Sequence, residues 1–153
     1  MKILISSCLL GINCRYDGQS KEYHKIDKLY EKFELIPFCP ECYGGLPTPR
    51  DAAEIKSINN EIKVETNTGI DVTKQYLRGA ESALLLCHKL GITVAILKAN
   101  SPSCGHGKIY DGTFNSTLTN GNGITADLLL KNGIKVYNEH EIDIFIKNEV
   151  QHD

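Results

Sequence analysis

Residues 93–99, TVAILKA, form a short, nearly continuous apolar run. A strand of that kind is buried on both faces, so the chain must lay helices over each side of the sheet that holds it. Similar short runs occur at 2–6 (KILIS), 34–38 (ELIPF) and 134–137 (IKVY). Between them the apolar spacing changes to a helical period. A first helix is expected from about Ser20, with Ile26, Leu29, Tyr30 and Phe33 on one face. A second is expected after a cap at Asp71 or Thr73, with Leu77, Ala80, Leu84, Cys87 and Leu90 as its stripe and Gly91 as its stop. A third spans about 124–132 and ends at Gly133, and Ile142, Phe145 and Ile146 mark a last one. EIKSINNEIKVE reads as a hairpin turning near Asn59-Asn60. Pro37 donates no ladder hydrogen bond and argues against an interior position for the second strand. The expected architecture is α/β: a Rossmann-like layered fold with a mostly parallel central sheet and a small hairpin insertion, as one domain over 1–153.

Strand-end loops are where such folds bind ligands. Three of these loops carry a cysteine: Cys8 in ILISSCLLGINC, Cys39 in ELIPFCPEC and Cys104 in LKANSPSCGHG. All three follow parallel strands, so they are expected to converge at one sheet edge although they are far apart in sequence. Thiolates there can hold zinc, hold an iron–sulfur cluster, or leave one reactive thiol. Cys39 and Cys42 form CPEC, similar in spacing to a redox dithiol, but the following YGGLPTPR is not expected to start the regular helix that a thioredoxin-like pair requires. Six cysteines in an unprocessed chain of this size point to a reducing cytoplasm and to metal or reactive thiols. The formal net charge of -2 argues against broad binding of nucleic acid or membrane surface, and no apolar run reaches membrane-spanning length.

Three long stretches, SSCLLGINCRYDG, CPECYGGLPTPR and LKANSPSCGHGKIYDGTF, closely resemble the motifs of the DUF523 family, in the same order and over almost the whole chain. That family includes an iron–sulfur-dependent thiouracil desulfidase. The resemblance implies a [4Fe-4S] cluster held by Cys8, Cys39 and Cys104, with one iron left open, and a small thiolated pyrimidine or related thiocarbonyl compound as substrate. Aerobic preparations are expected to include zinc-loaded or empty sites. It also implies an acid–base role for Glu41 and a hydrogen-bonding role for Ser101. The competing readings are a solvated loop carboxylate for Glu41 and a turn cap for Ser101.

Around these lie weaker candidates. Arg50 can bind an anion or hold loop carboxylates, and Arg15 and Asp17 can pair with each other or orient a ligand. Gly44 and Gly45 allow close backbone approach, Ser103 borders Cys104, and His106 can relay protons or lie on the surface. Cys14 and Cys42 are candidate extra ligands, either of which would close the open iron, whereas Cys87 falls on a helical core stripe. Two alternatives to a desulfidase are a non-catalytic metal- or sulfur-binding protein and a CxxC thiol redox protein.

Overall fold

The computed structural model describes residues 1–58 and 60–150. Strands β1 (Lys2–Ser6) and β2 (Glu34–Phe38) run parallel and pair along their full length. The segment between them does not form the expected α-helix; it holds two 3-10 helices, Ser7–Leu10, which carries Cys8, and His24–Leu29. The second buries Ile26 and Leu29 but leaves Tyr30 55% exposed, so the apolar spacing served a tighter turn. A one-turn helix, α1 (Pro40–Tyr43), follows with Cys39 at its cap position; it stops at Gly44, so no regular helix opens from YGGLPTPR, although this single turn was not anticipated. Proline at its first position is preorganised for a helical start, and the Gly44-Gly45 pair ends it within a turn.

The hairpin of β3 (Ala53–Ile58) and β4 (Glu61–Thr66) follows. Of its anticipated turn, Asn59 lies outside the described residues and Asn60 adopts a φ of 64°. Helix α2 (Thr73–Leu90) has Val72 at its cap position; Asp71 instead accepts hydrogen bonds from the Thr73 backbone and hydroxyl. Its buried stripe is Tyr76, Gly79, Ala80, Ala83 and Cys87, one residue round from the one anticipated, and Leu77 is 46% exposed. The reason is steric: α1 packs so close that only glycine fits at the contact. A Cβ at Gly79 would lie 2.1 Å from the Pro40 carbonyl oxygen, and one at Gly44 would lie 2.0 Å from that of Gln75.

The wholly buried β5 (Val94–Leu97) pairs parallel with β1 on the side opposite β2. A second hairpin, β6 (Lys108–Tyr110) and β7 (Leu118–Asn120), occupies part of the segment that showed no core pattern; of its strand residues only Ile109 is buried. Helix α3 (Ile124–Lys131), strand β8 (Lys135–Asn138) and helix α4 (Ile142–Val150) complete the chain.

The central sheet is fully parallel with order β2-β1-β5-β8, which puts Pro37 on an edge strand. Strand alternation divides the core. Leu4, Ala95, Leu97 and Val136 face α2 and α3, while Ile3, Ile5, Val94 and Ile96 pack with Ile26, Leu29, Ile142 and Phe145 on the other side. The chain leaves β1 first toward β2 and then crosses back to β5, so the two connections diverge at the carboxyl ends of β1 and β5 and open a crevice there. Among the described residues no helix is long and apolar enough to cross a membrane.

Candidate active site

The crevice is a cavity of about 570 Å³. Ser6 and Cys8 reach it from the end of β1, Cys39 and Glu41 from the end of β2, and Lys98, Ser101 and Cys104 from the end of β5. The three strand-end cysteines therefore border one space, as their positions in the sequence suggested. Cys8 and Cys104 are buried, Cys39 is half-buried, and all six cysteines are free thiols.

Burial sets the chemistry of these sulfurs. Desolvation, reinforced by the Glu41 carboxylate, pushes the Cys104 thiol up to about 12. Cys39 is raised as well, first because it donates to Cys14 and then by burial. Cys14 is raised to about 11: Cys39 donates to it and lowers it, but the hydrogen bond with Cys8 and desolvation outweigh that. Cys42 is raised too, chiefly by burial. A reactive dithiol needs the opposite shift, so the raised Cys39 and Cys42 thiols argue against a redox role for CPEC. Thiols that stay protonated alone but ionise on coordination suit a metal site. Among the described residues there is no compact group of three ligands for a single ion. Tetrahedral zinc requires all its sulfurs at ~2.3 Å from one centre. Thiols spread around a roomy cavity fit a polynuclear iron–sulfur group better.

The other cysteines divide by location. Cys14 is on the cavity wall, close to Cys8 and Cys39. Cys42 is outside the cavity lining, its sulfur 3.5 Å from the Thr48 hydroxyl. Cys87 is fully buried in the core under α2.

Glu41 is not a solvated loop carboxylate. It pairs with Arg50 at 2.5 Å, and the two side chains are 15% and 6% exposed. Arg50 also donates to the Cys14 and Pro47 carbonyls, while its buried Nε has no partner among the described residues. Burial opposes the Arg50 charge, but the Glu41 carboxylate outweighs it and raises the guanidinium's pKa. Arg50 thus holds a loop carboxylate, one of the two roles its sequence allowed. Ser101 borders the cavity, and its oxygen accepts the Cys104 backbone N–H at 2.7 Å, which is the turn-cap role. Among the described residues its own O–H has no acceptor.

Several candidates fall elsewhere. Ser103 is buried against the Thr125 hydroxyl at 2.8 Å. His106 faces Glu141 and is not part of the cavity lining. Gly44 and Gly45 serve the α1 turn rather than the cavity. Arg15 borders the cavity and sits 3.7 Å from Asp17, which does not.

Residues not singled out from the sequence support the cavity from behind. Ser6 donates to the Cys104 sulfur at 3.5 Å and accepts from the Lys98 backbone, joining the ends of β1 and β5. Buried Glu139 accepts the Ala99 N–H at 2.7 Å and pairs with Lys98 at 3.0 Å, which fixes the start of the third cysteine loop. Lys98 had a visible signal, as the one charge in an apolar run. Glu139 had none, because its partners are some forty residues away. Tyr76 lies between the cavity and a smaller neighbouring one lined by Leu46, Ile70 and Val72.

The family model of 2-thiouracil desulfurase matches residues 3–141. The chain belongs to that family. An uncharacterised Bacillus subtilis protein, YbbK, is 43% identical over 147 residues, covering 92% of this chain and 97% of that one. The solved structure of the [4Fe-4S]-dependent thiouracil desulfidase TudS superposes with a TM-score of 0.84 at 47% identity, covering 93% of each chain. The α/β architecture and parallel sheet are therefore shared with a solved relative.

Proposed function

We propose that this protein is a non-redox desulfidase that exchanges the sulfur of a 2-thiouracil-type thiocarbonyl for oxygen, using a [4Fe-4S] cluster held by Cys8, Cys39 and Cys104. The observation that carries the reading is the convergence of these thiols, from three strand-end loops, on a cavity that also receives Glu41 and Ser101. Held by three thiolates, such a cluster supplies a soft Lewis-acid iron suited to a thiocarbonyl sulfur.

The chain's own groups have separate tasks. Glu41, which pairs with Arg50, is the group assigned to move a proton between water and a ring nitrogen. Ser101 has its oxygen engaged by the Cys104 N–H and offers its proton to an acceptor in the cavity. The Ser6 hydrogen bond and the Glu139–Lys98 pair keep the Cys104 loop against the sheet. Overall, water supplies the oxygen and a proton pair, and sulfur leaves as sulfide, so no electron donor is consumed. A reducing cytoplasm, where thiols stay available for iron, is the compartment this reading requires.

Anaerobic reconstitution tests the assignment. About four irons and four sulfides per chain, and release of equal sulfide and uracil from 2-thiouracil without reductant, are expected. Ala at position 8, 39 or 104 should abolish stable cluster assembly, whereas Cys87→Ala should retain it. A normal cluster in Cys104→Ala would overturn the ligand set. A loaded protein that desulfurises no thiopyrimidine would leave a metal- or sulfur-binding protein instead.

A further inference from the structure

Backbone strain is concentrated at the cavity. Among the described residues, the non-glycine positions with positive φ are Asn60, Asn100, Phe114 and Ser116, and the last three border the cavity. Asparagine tolerates this conformation; a phenylalanine at φ 60° is uncommon and is held only where its surroundings impose it. The imposing group is Glu54. Its carboxylate, buried on β3, accepts the N–H of Gly112 at 2.9 Å and of Phe114 at 3.2 Å. Gly112 must itself be glycine, since its φ is 94° and a Cβ would lie 2.8 Å from the Ile55 carbonyl oxygen. Asp111 secures the same loop by accepting from the Thr113 backbone and hydroxyl. The loop is therefore built to keep one aromatic ring at the cavity, where a glycine or asparagine would sit without strain.

Four other aromatic residues border the cavity. Tyr16 lies under the Arg15 guanidinium, 5.6 Å from its ring centroid, and Tyr110 ends β6 opposite Leu118. The remaining two serve the core. Phe38 is buried in the core and stacks on Tyr43 with centroids 4.3 Å apart. Tyr76 packs with Val64 and Val72 beneath the first hairpin. Phe114 is half-buried, with the Lys56 ammonium 5.7 Å from its centroid.

We propose that Phe114 is the wall on which the pyrimidine ring stacks, making it a specificity-determining residue for planar thiocarbonyl rings, and that Glu54 is the positioning residue that aims it. This rests on the desulfidase reading. A planar π-face is the chemistry that a flat aromatic wall recognises, and removing such a partner weakens base binding by roughly 5- to 150-fold.

The test compares 2-thiouracil with 5,6-dihydro-2-thiouracil, which keeps the thiocarbonyl but has a puckered, non-aromatic ring. In the cluster-loaded protein, Phe114→Leu should raise the KM for 2-thiouracil by roughly 5-fold or more and change that for the dihydro compound far less. Phe114→Tyr should restore the preference. Calorimetric titration with uracil should show the same loss without turnover. Glu54→Gln, which still accepts both N–H groups, should keep the preference, and Glu54→Ala should lose it with the ring still present. Because the ratio of the two substrates is taken within each variant, partial loss of fold cancels. Equal losses for both substrates, or none, would overturn the proposal while leaving the desulfidase reading intact. A wild-type protein inactive on 2-thiouracil would sink that reading itself, and with it this one.

Discussion

Glu41 and Arg50 form a nearly buried ion pair, so either residue is costly to alter alone. Removing one partner of such a pair leaves the other charge buried and costs ~3–5 kcal/mol, whereas replacing both with apolar groups can be close to neutral. This separates catalysis from stability. Glu41→Gln should lower the rate by about 10²-fold or more and also lower the melting temperature, since Arg50 then has a buried charge without its carboxylate. Adding Arg50→Met should recover much of the melting temperature and none of the rate. Recovery of both would make Glu41 a structural residue. Thermal melts beside sulfide-release assays on the single and double variants decide it.

At the scale of elements, α1 and α2 place Cys39. Gly→Ala in an exposed helix normally gains up to ~1 kcal/mol, but at Gly79 the new methyl would meet the Pro40 carbonyl, which is backbone and cannot swing away. Gly79→Ala should therefore destabilise by about 1–3 kcal/mol and reduce iron content by displacing the Cys39 turn; a stabilised, fully loaded variant would refute the contact. The start of α2 carries a pH effect. Hydrogen bonds from the Thr73 hydroxyl and backbone hold the Asp71 carboxyl below its usual 3.8. A depressed folded-state pKa gives stability that is complete above the unfolded value and lost as pH falls through the folded one. Asp71→Ala should thus melt earlier than wild type at neutral pH, with the gap shrinking as pH drops below 3.8; a constant gap would mean that the charge contributes nothing. These elements also show what sequence reading can resolve. Strands β1, β2, β5 and β8 were legible because short apolar runs have few other uses. The α2 stripe was displaced by one residue because Gly79 carries no hydrophobic signal, and α1 was missed because its glycine pair reads as a breaker. The strands of the β6–β7 hairpin bury only Ile109 and so leave no alternating pattern.

For the whole molecule, the decisive property is that one site joins three loops that share no local structure. The cysteines were legible from their strand-end positions, but Glu139, which holds the Cys104 loop, and Glu54, which holds the Phe114 loop, were not, because each acts across the fold on backbone N–H groups 40 and 58 residues away. A ligand that bridges such loops stabilises them together, by an amount set by its affinity for the folded chain. A site confined to Cys39 and Cys42 would protect only the segment between β2 and β3. Hydrogen exchange on the loaded and chelator-stripped protein distinguishes these. With the cluster bound by Cys8, Cys39 and Cys104, amide protection should rise in step across residues 7–14, 39–50 and 101–107. The buried strand β5, packed on both faces whether or not the cluster is present, should change least. Protection gained in 39–50 alone would place the metal on the local dithiol and dismantle the three-loop site.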